Sequence, residues 1–321
     1  MISRLLKALP PAVALLAAAL ALPAAAQEED RYAFTQDYDP APAIWRLADE
    51  DTTIYMLGTI HLLPEGFRWR NPQLDAIIDE AEVLVVETSD ADSEGALEAM
   101  SPKFQHLLAN RTPTSRQLSA QSRPLWRELV AMSGMPFEVV DSMPLMVALL
   151  GFGQASIEGD PSSYDYGVET VLEAEFSETG RPIESIEDFG QVMYGLFRVN
   201  DAEAVRELDM QLRGWGGKSV DGLYDEQADE LTGDAYWAME HAWARGEVAE
   251  DFDLGFGEGA IGEAFSEVLL NRRNSAWAEW LDTRLDQPGT VLLAVGAGHF
   301  EGPDSVLEKL RTHGLEAERI N

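Results

Sequence analysis

The sequence predicts an α/β protein: a small central sheet built from two strand-GxxH-helix-strand units, with a large helical insert between them. Three observations carry this. Residues 83–86 and 291–295 are unbroken apolar runs rich in Val and Leu, the mark of strands covered on both faces. The stretch Ile54-Tyr55-Met56-Leu57-Gly58-Thr59-Ile60-His61 lines up with Leu292-Leu293-Ala294-Val295-Gly296-Ala297-Gly298-His299, and each continues through a Pro- and Gly-containing loop. Between the two, Leu, Met, Phe and Val recur with the 3.6-residue period of helices over 94–180 and 187–282.

Taken in order, residues 27–42 are polar and Pro-punctuated and read as a loose arm. Residues 43–47 and 52–57 form a predicted hairpin around the acidic turn 49–51. Asn71-Pro72 opens a helix over 73–81, with proline in the first turn. The strand 83–86 follows and ends at Glu87. It is expected beside the strand that leads to His61. Pro136 and Pro144 divide the helical insert. A helix over 164–179 stops at Gly180, and 182–186 is a short strand. Breaks fall at 214–217 and 254–262. After the strand 291–295 come a helix over 304–312 and a last strand over 315–320.

The first 26 residues have their own logic. Arg4 and Lys7 make a basic start, 12–22 is a short run of Ala, Val and Leu, and Ala24-Ala25-Ala26 offers small residues for cleavage. This is the pattern of a secretory signal peptide, so the expectation is 1–26 signal and 27–321 a mature domain, periplasmic or secreted, with no membrane span after cleavage. The alternative, an uncleaved anchor, is disfavoured by the shortness of the run and by Pro10, Pro11 and Pro23 around it.

Composition narrows the chemistry. Asp and Glu number 57 against 23 Lys and Arg, for a net charge of −34, so no nucleic acid is expected as a partner. The acidity serves solubility or attracts cationic peptides and metal ions. Cysteine is absent, which excludes disulfides, a thiol nucleophile and thiolate metal ligands. A metal site could draw only on His, Asp, Glu, other oxygen donors and water.

With 26 glycines and 5 histidines, one GxxH arises by chance about 0.4 times. A single such histidine reads as well as a structural residue at a turn. Two at matched strand ends point to function, His61 and His299, with Gly58 and Gly296 letting the chain turn or a ligand approach. Parallel strands would bring both histidines to the carboxyl edge of one sheet, where α/β proteins build their sites. Glu87 at a neighbouring strand end is the third candidate, as metal ligand or general base, although a solvated acid is an equal reading. Glu187, after the strand 182–186, is a weaker candidate. Arg273 and Asn274 on a late helix are further weak candidates, with a surface pair as the plain alternative. His106, His241 and His313 read as ordinary. Gly257-Glu258-Gly259-Ala260-Ile261-Gly262 fits GxGxxG, but no strand precedes it.

These motifs carry a resemblance. Tyr55 to His61 with Val85-Val86-Glu87, then Tyr166-Gly167-Val168-Glu169 and 180–187, then Arg273-Asn274 and 294–304, together resemble the TraB/GumN family, in its GumN-like branch, over nearly all of the mature chain. That branch is named for a polysaccharide gene cluster. The family is related to the Tiki proteins, membrane-tethered metal-dependent proteases whose two GxxH motifs and an acidic residue are held to form the active site. The resemblance therefore implies a site of His61, His299 and Glu87, with Arg273 and Asn274 inside a family motif. At Glu169 the family usually has Asp.

The combined expectation is an exported divalent-metal-dependent hydrolase, a peptidase, with His61 and His299 as ligands and Glu87 as ligand or catalytic base. Two imidazoles with carboxylate and water suit Mn, Co, Fe or Zn. The alternative is a non-catalytic envelope protein that binds peptide or glycan and is linked to polysaccharide export. The partner is accordingly a polypeptide or a glycan.

Overall fold

The computed structural model describes residues 31–89, 92, 106, 108, 111–153, 160–199, 201–224, 230–252 and 254–321. Residues 1–30, with the segment read as a signal peptide, and the part of the insert between 93 and 110 except His106 and Leu108 lie outside them. A mixed sheet of six strands runs in the order β6-β4-β7-β2-β1-β8. Its strands are β1 (Ile44–Ala48), β2 (Thr52–Thr59), β4 (Val83–Val86), β6 (Ile183–Ser185), β7 (Gly289–Gly296) and β8 (Glu318–Arg319). A second, two-stranded sheet pairs β3 (Leu63–Pro64) with β5 (Ser162–Ser163). The α/β class and the mixed sheet agree with expectation.

The hairpin forms as read. β1 and β2 pair antiparallel, and Asp49 closes the turn by accepting the backbone N–H groups of Asp51 and Thr52 at 3.1 and 2.8 Å. Helix α1 (Pro72–Glu80) has Pro72 in its first turn and Asn71 as N-cap, whose side chain accepts from the Leu74 N–H. β2, β7, β4 and β6 are mutually parallel neighbours, so each GxxH follows a parallel strand as the internal similarity implied.

Two expectations are corrected. β4 does not lie beside β2. β7 stands between them, so Glu87 borders the His299 strand rather than the His61 strand. Strand order in a parallel sheet is decided by crossover connections, which leave no local trace. The predicted helix 164–179 is also divided. A 3-10 turn (Tyr164–Tyr166) precedes α6 (Val168–Thr179), with Gly167 between.

Alternation along the strands sends side chains to two layers. Leu57, Leu84, Val86, Leu292 and Ala294 face α1 and α6, where they meet Leu74, Ile78, Leu172 and Phe176. Met56, Val85, Val291, Leu293 and Val295 face α11 (Arg272–Arg284) and α12 (Val306–Thr312), through Trp277, Leu281, Val306 and Leu310. The insert has its own core. It joins α3 (Ser122–Met132), α5 (Leu145–Gly153), α7 (Phe189–Phe197), α8 (Asp201–Gly214) and α10 (Ala260–Phe265) around Trp126, Leu149, Leu196, Leu208 and Phe265. The shorter α2 (Thr114–Gln117), α4 (Phe137–Ser142) and α9 (Ala238–Ala244) complete the set. Among the described residues no helix is long and apolar enough to cross a membrane.

Candidate metal and catalytic site

The carboxyl ends of β2, β4 and β7 meet in one cleft of about 1600 Å³, lined by His61, Glu87, Glu169, Glu187, Arg273 and His299 among others. All the site residues expected from sequence are in or against it. Of the weaker pair Arg273 and Asn274, whose plain alternative was a surface position, Arg273 is half-buried with its side chain 12% exposed, and Asn274 is buried to 1% exposure. Residues Ser266–Asn271 form a π-helical turn between α10 and α11. Such turns re-aim the side chains that follow and cluster at functional sites.

His299 sits on the 3-10 turn Ala297–Phe300, buried against the Trp277 ring at 4.2 Å between centroids. Its Nδ1 lies 2.6 Å from Asn274 Oδ1. Asn274 Nδ2 donates to the Asp304 carbonyl at 2.8 Å, which leaves Oδ1 as the acceptor. His299 Nδ1 therefore carries the proton, and the Nε2 lone pair turns into the cleft, 3.6 Å from Glu87 Oε1. Burial, reinforced by the Arg273 charge, pushes the His299 pKa down to about 3 despite Glu87, so the ring is neutral.

His61 follows β2 and is half exposed, with Nδ1 donating to Glu169 Oε1 at 2.8 Å. Burial of the ring lowers its pKa, but the Glu169 bond and the charges of Glu169 and Glu87 outweigh this and lift it to about 9. The placement depends on a close approach. Val168 N–H donates to the Ile60 carbonyl at 3.0 Å, and a Cβ on Gly167 would fall 2.1 Å from the His61 carbonyl oxygen. Only glycine lets the start of α6 reach β2 and deliver Glu169. The Thr59 hydroxyl also donates to Glu169 Oε1, whereas Glu169 Oε2 is buried with no partner among the described residues.

Glu87 is held on both oxygens. Oε1 accepts the Gly296 N–H at 2.8 Å, and Oε2 pairs with Arg273 Nη2. Burial alone would raise its pKa, but Arg273, both histidines and the Gly296 amide hold it well below the usual carboxylate range. Arg273 also grips Glu187 by two bonds, at 2.8 and 2.7 Å, and Trp277 Nε1 donates to Glu187 at 3.0 Å. Glu187 thus supports Arg273, with burial raising its own pKa against the pull of Arg273.

The motif glycines have different tasks. A Cβ on Gly58 would meet Ala297 Cα at 3.0 Å and Phe300 at 3.3 Å, so Gly58 lets the two GxxH turns pack together. A Cβ on Gly296 would instead enter the site, 3.1 Å from Glu87 Oε1, 3.6 Å from His61 Nε2 and 3.7 Å from His299 Cδ2. The three candidate residues thus surround one small space that a side chain would fill. Metal–ligand distances are about 2.0–2.2 Å, so the groups must draw inward to bind. Consistently, among the described residues no group of three His, Asp or Glu stands as a ready-made cage. The donor types and orientations nevertheless fit a divalent cation. Two histidines are anchored through Nδ1, as in carboxylate–histidine–metal arrangements, and an ionised carboxylate stands beside them; His299 is already neutral, whereas His61, with its pKa at about 9, must release its Nε2 proton to a binding cation.

Two residues of this arrangement were not among the sequence candidates. Glu169 had a signal, its place after Gly167-Val168 in a family-like block, but no assigned role. Thr59 had none beyond sitting inside the first GxxH. Of the other histidines, His241 bonds Tyr38 at 2.6 Å, His313 is the C-cap of α12, and His106 is exposed. Gly257 to Gly262 follows no strand and runs into α10.

A family model described as the TraB/PrgY/gumN family matches residues 43–319. That match spans most of the chain, so the chain belongs to this family. No curated protein and no solved structure matches significantly.

Proposed function

We propose that this member of the TraB/PrgY/gumN family is an exported divalent-metal-dependent hydrolase acting on polypeptide. The observation that carries the reading is the shared anchoring of the two histidines. Each is fixed through Nδ1, to Glu169 or Asn274. His61 Nε2 borders the space beside Gly296, and His299 Nε2 stands 3.6 Å from Glu87 Oε1, which borders the same space. His61, His299 and Glu87 would hold the ion, of the Mn, Co, Fe or Zn class. When bound, such an ion supplies a Lewis acid and a water acidified toward neutrality.

The chain's own groups divide the remaining work. Asn274 keeps the His299 proton on Nδ1 and its lone pair on Nε2. Arg273 keeps Glu87 ionised, which suits a ligand and makes Glu87 a weak proton acceptor. Glu169 Oε2, buried beside His61 and with no partner among the described residues, is the oxygen with capacity to take a proton. Export rests on the basic, apolar and Ala-Ala-Ala pattern of residues 1–26.

A second reading is favoured by one feature: Glu87 is already satisfied by Arg273 and Gly296 without any cation. It is a non-catalytic peptide- or glycan-binding protein using the same cleft. Incubation of the mature protein with a mixed peptide library separates the two. Cleavage that EDTA stops and Mn, Co or Zn restores supports the hydrolase; no cleavage with any of these metals leaves the binding protein.

A further inference from the structure

The cleft lining is chemically mixed. Besides its polar residues, Leu150, Phe189, Val192, Met193 and Leu269 from the insert present apolar surface, and the exposed Met239, at 64%, adds to it. At about 1600 Å³ the space exceeds the roughly 300–1,000 Å³ of small-molecule sites and suits several residues of an extended chain. Charge on the lining is one-sided. Eight lining residues are acidic, and Arg273 is the only Lys or Arg among the described lining residues. Its charge is spent on Glu87 and Glu187. Glu240 on α9 and Glu301 just after His299 are half-buried in the wall and form no ion pair with any described cation. Among the described residues Glu301 accepts only the Ala249 N–H, at 3.2 Å.

We infer that the occupant of this cleft is a cationic amphipathic segment of polypeptide, its apolar side chains on the insert wall and its Lys or Arg beside Glu240 and Glu301. This rests on the proposal that the cleft takes polypeptide, and not on the metal. Apolar wall and acidic rim demand complementary features in one ligand. A neutral glycan offers the wall no apolar side chains and the rim no cation.

The test is anisotropy titration of the mature full-length protein with three labelled peptides sharing one apolar core, flanked by Lys, Gln or Glu. It is run in EDTA, so hydrolysis cannot consume the probe. The Lys-flanked peptide should bind at least roughly tenfold more tightly than the Gln-flanked one, and the Glu-flanked one least. Glu240→Gln with Glu301→Gln should erase the Lys advantage, and Met193→Asp should weaken the Lys- and Gln-flanked peptides. A control pair outside the cleft, Glu203→Gln with Glu308→Gln, removes the same charge and should change nothing. This separates the rim from general attraction to a chain of net charge −34. Equal binding of the Lys- and Gln-flanked peptides would overturn the inference. So would a Lys advantage that survives the Glu240 and Glu301 changes, no binding of any peptide, or tighter binding of a neutral glycan. Peptide binding with no metal uptake would sink the hydrolase and leave the inference standing. Metal-dependent cleavage without charge preference would do the reverse.

Discussion

Replacing Arg273 by Met removes the cation that faces both Glu87 and Glu187. The guanidinium donates to Glu187 at 2.8 and 2.7 Å, pairs with Glu87, and lies 4.8 Å from the Trp277 ring centroid. Its side chain is 12% exposed, and the two carboxylates are 20% and 11% exposed, so water repairs little of the loss. Breaking a buried ion pair while leaving its partner charged costs about 3–5 kcal/mol. Arg273→Met should therefore lower the unfolding free energy by about that amount in urea titrations at pH 7. The sign of the pH dependence follows. Without the cation, burial lifts the Glu187 pKa further above its unfolded value, and Glu87 loses the largest of the groups that hold its own pKa down. Stability should then rise as pH falls through the folded Glu187 value, and the deficit should shrink near pH 5. Arg273→Met combined with Glu87→Gln and Glu187→Gln removes all three charges and should recover most of the loss. A single variant that loses less than about 1 kcal/mol, or a triple variant no better than the single, would refute the reading of this cluster as a desolvated ion network.

Three further outcomes follow from the same geometry. His61 has its folded pKa raised to about 9 by Glu169, above the ordinary 6.5, so the pair's stabilisation is complete below pH 6.5 and is lost as pH rises through about 9. Urea midpoints of the metal-free protein should fall gently over that window, gently because the ring is 54% exposed to screening water, and Glu169→Gln should flatten the fall. Gly167→Ala places a Cβ 2.1 Å from the His61 carbonyl oxygen and should cost roughly 2–3 kcal/mol in thermal or urea unfolding. Asn274→Ala leaves the His299 Nδ1–H and the Asp304 carbonyl without their partner. It should cost roughly 2–5 kcal/mol in urea unfolding and weaken metal binding by about 10- to 100-fold in competition titrations.

Local patterns read correctly where local physics decides them. The hairpin around Asp49, the Asn71-Pro72 helix start and the Val- and Leu-rich strands all lie within a few residues of expectation, because capping, proline geometry and two-sided burial act within one segment. The repeat also located both histidines. What it could not show was which strands are neighbours. Thr59 pairs with Gly296, whereas the alignment of the two GxxH segments sets Gly58 against Gly296, so the spatial match is offset by one residue. Glu87 was read beside His61 and instead touches the Gly296 amide, because β7 enters the sheet from more than 200 residues later in the chain. Arg273 and Asn274 were weaker candidates, with a pair on a helix surface as the plain alternative. What decides for them is out of local view: the two acids around Arg273, Glu87 and Glu187, come from distant segments that no window contains. Glu169 was legible only as a motif position. Its contact with His61 depends on Gly167 meeting a carbonyl in β2's extension.

The most direct test of the central claim is the metal content of the purified mature protein, measured by elemental analysis after dialysis, for wild type beside Gly296→Ala. The backbone at Gly296, with φ −47° and ψ 134°, accepts alanine without strain, so the variant should fold with a stability change below about 1 kcal/mol. Its added methyl occupies the space between Glu87 Oε1, His61 Nε2 and His299. The account predicts near-stoichiometric metal in the wild type and none in the variant. A wild type that takes up no Mn, Co, Fe or Zn when offered them, or a folded Gly296→Ala that binds metal as the wild type does, would contradict it.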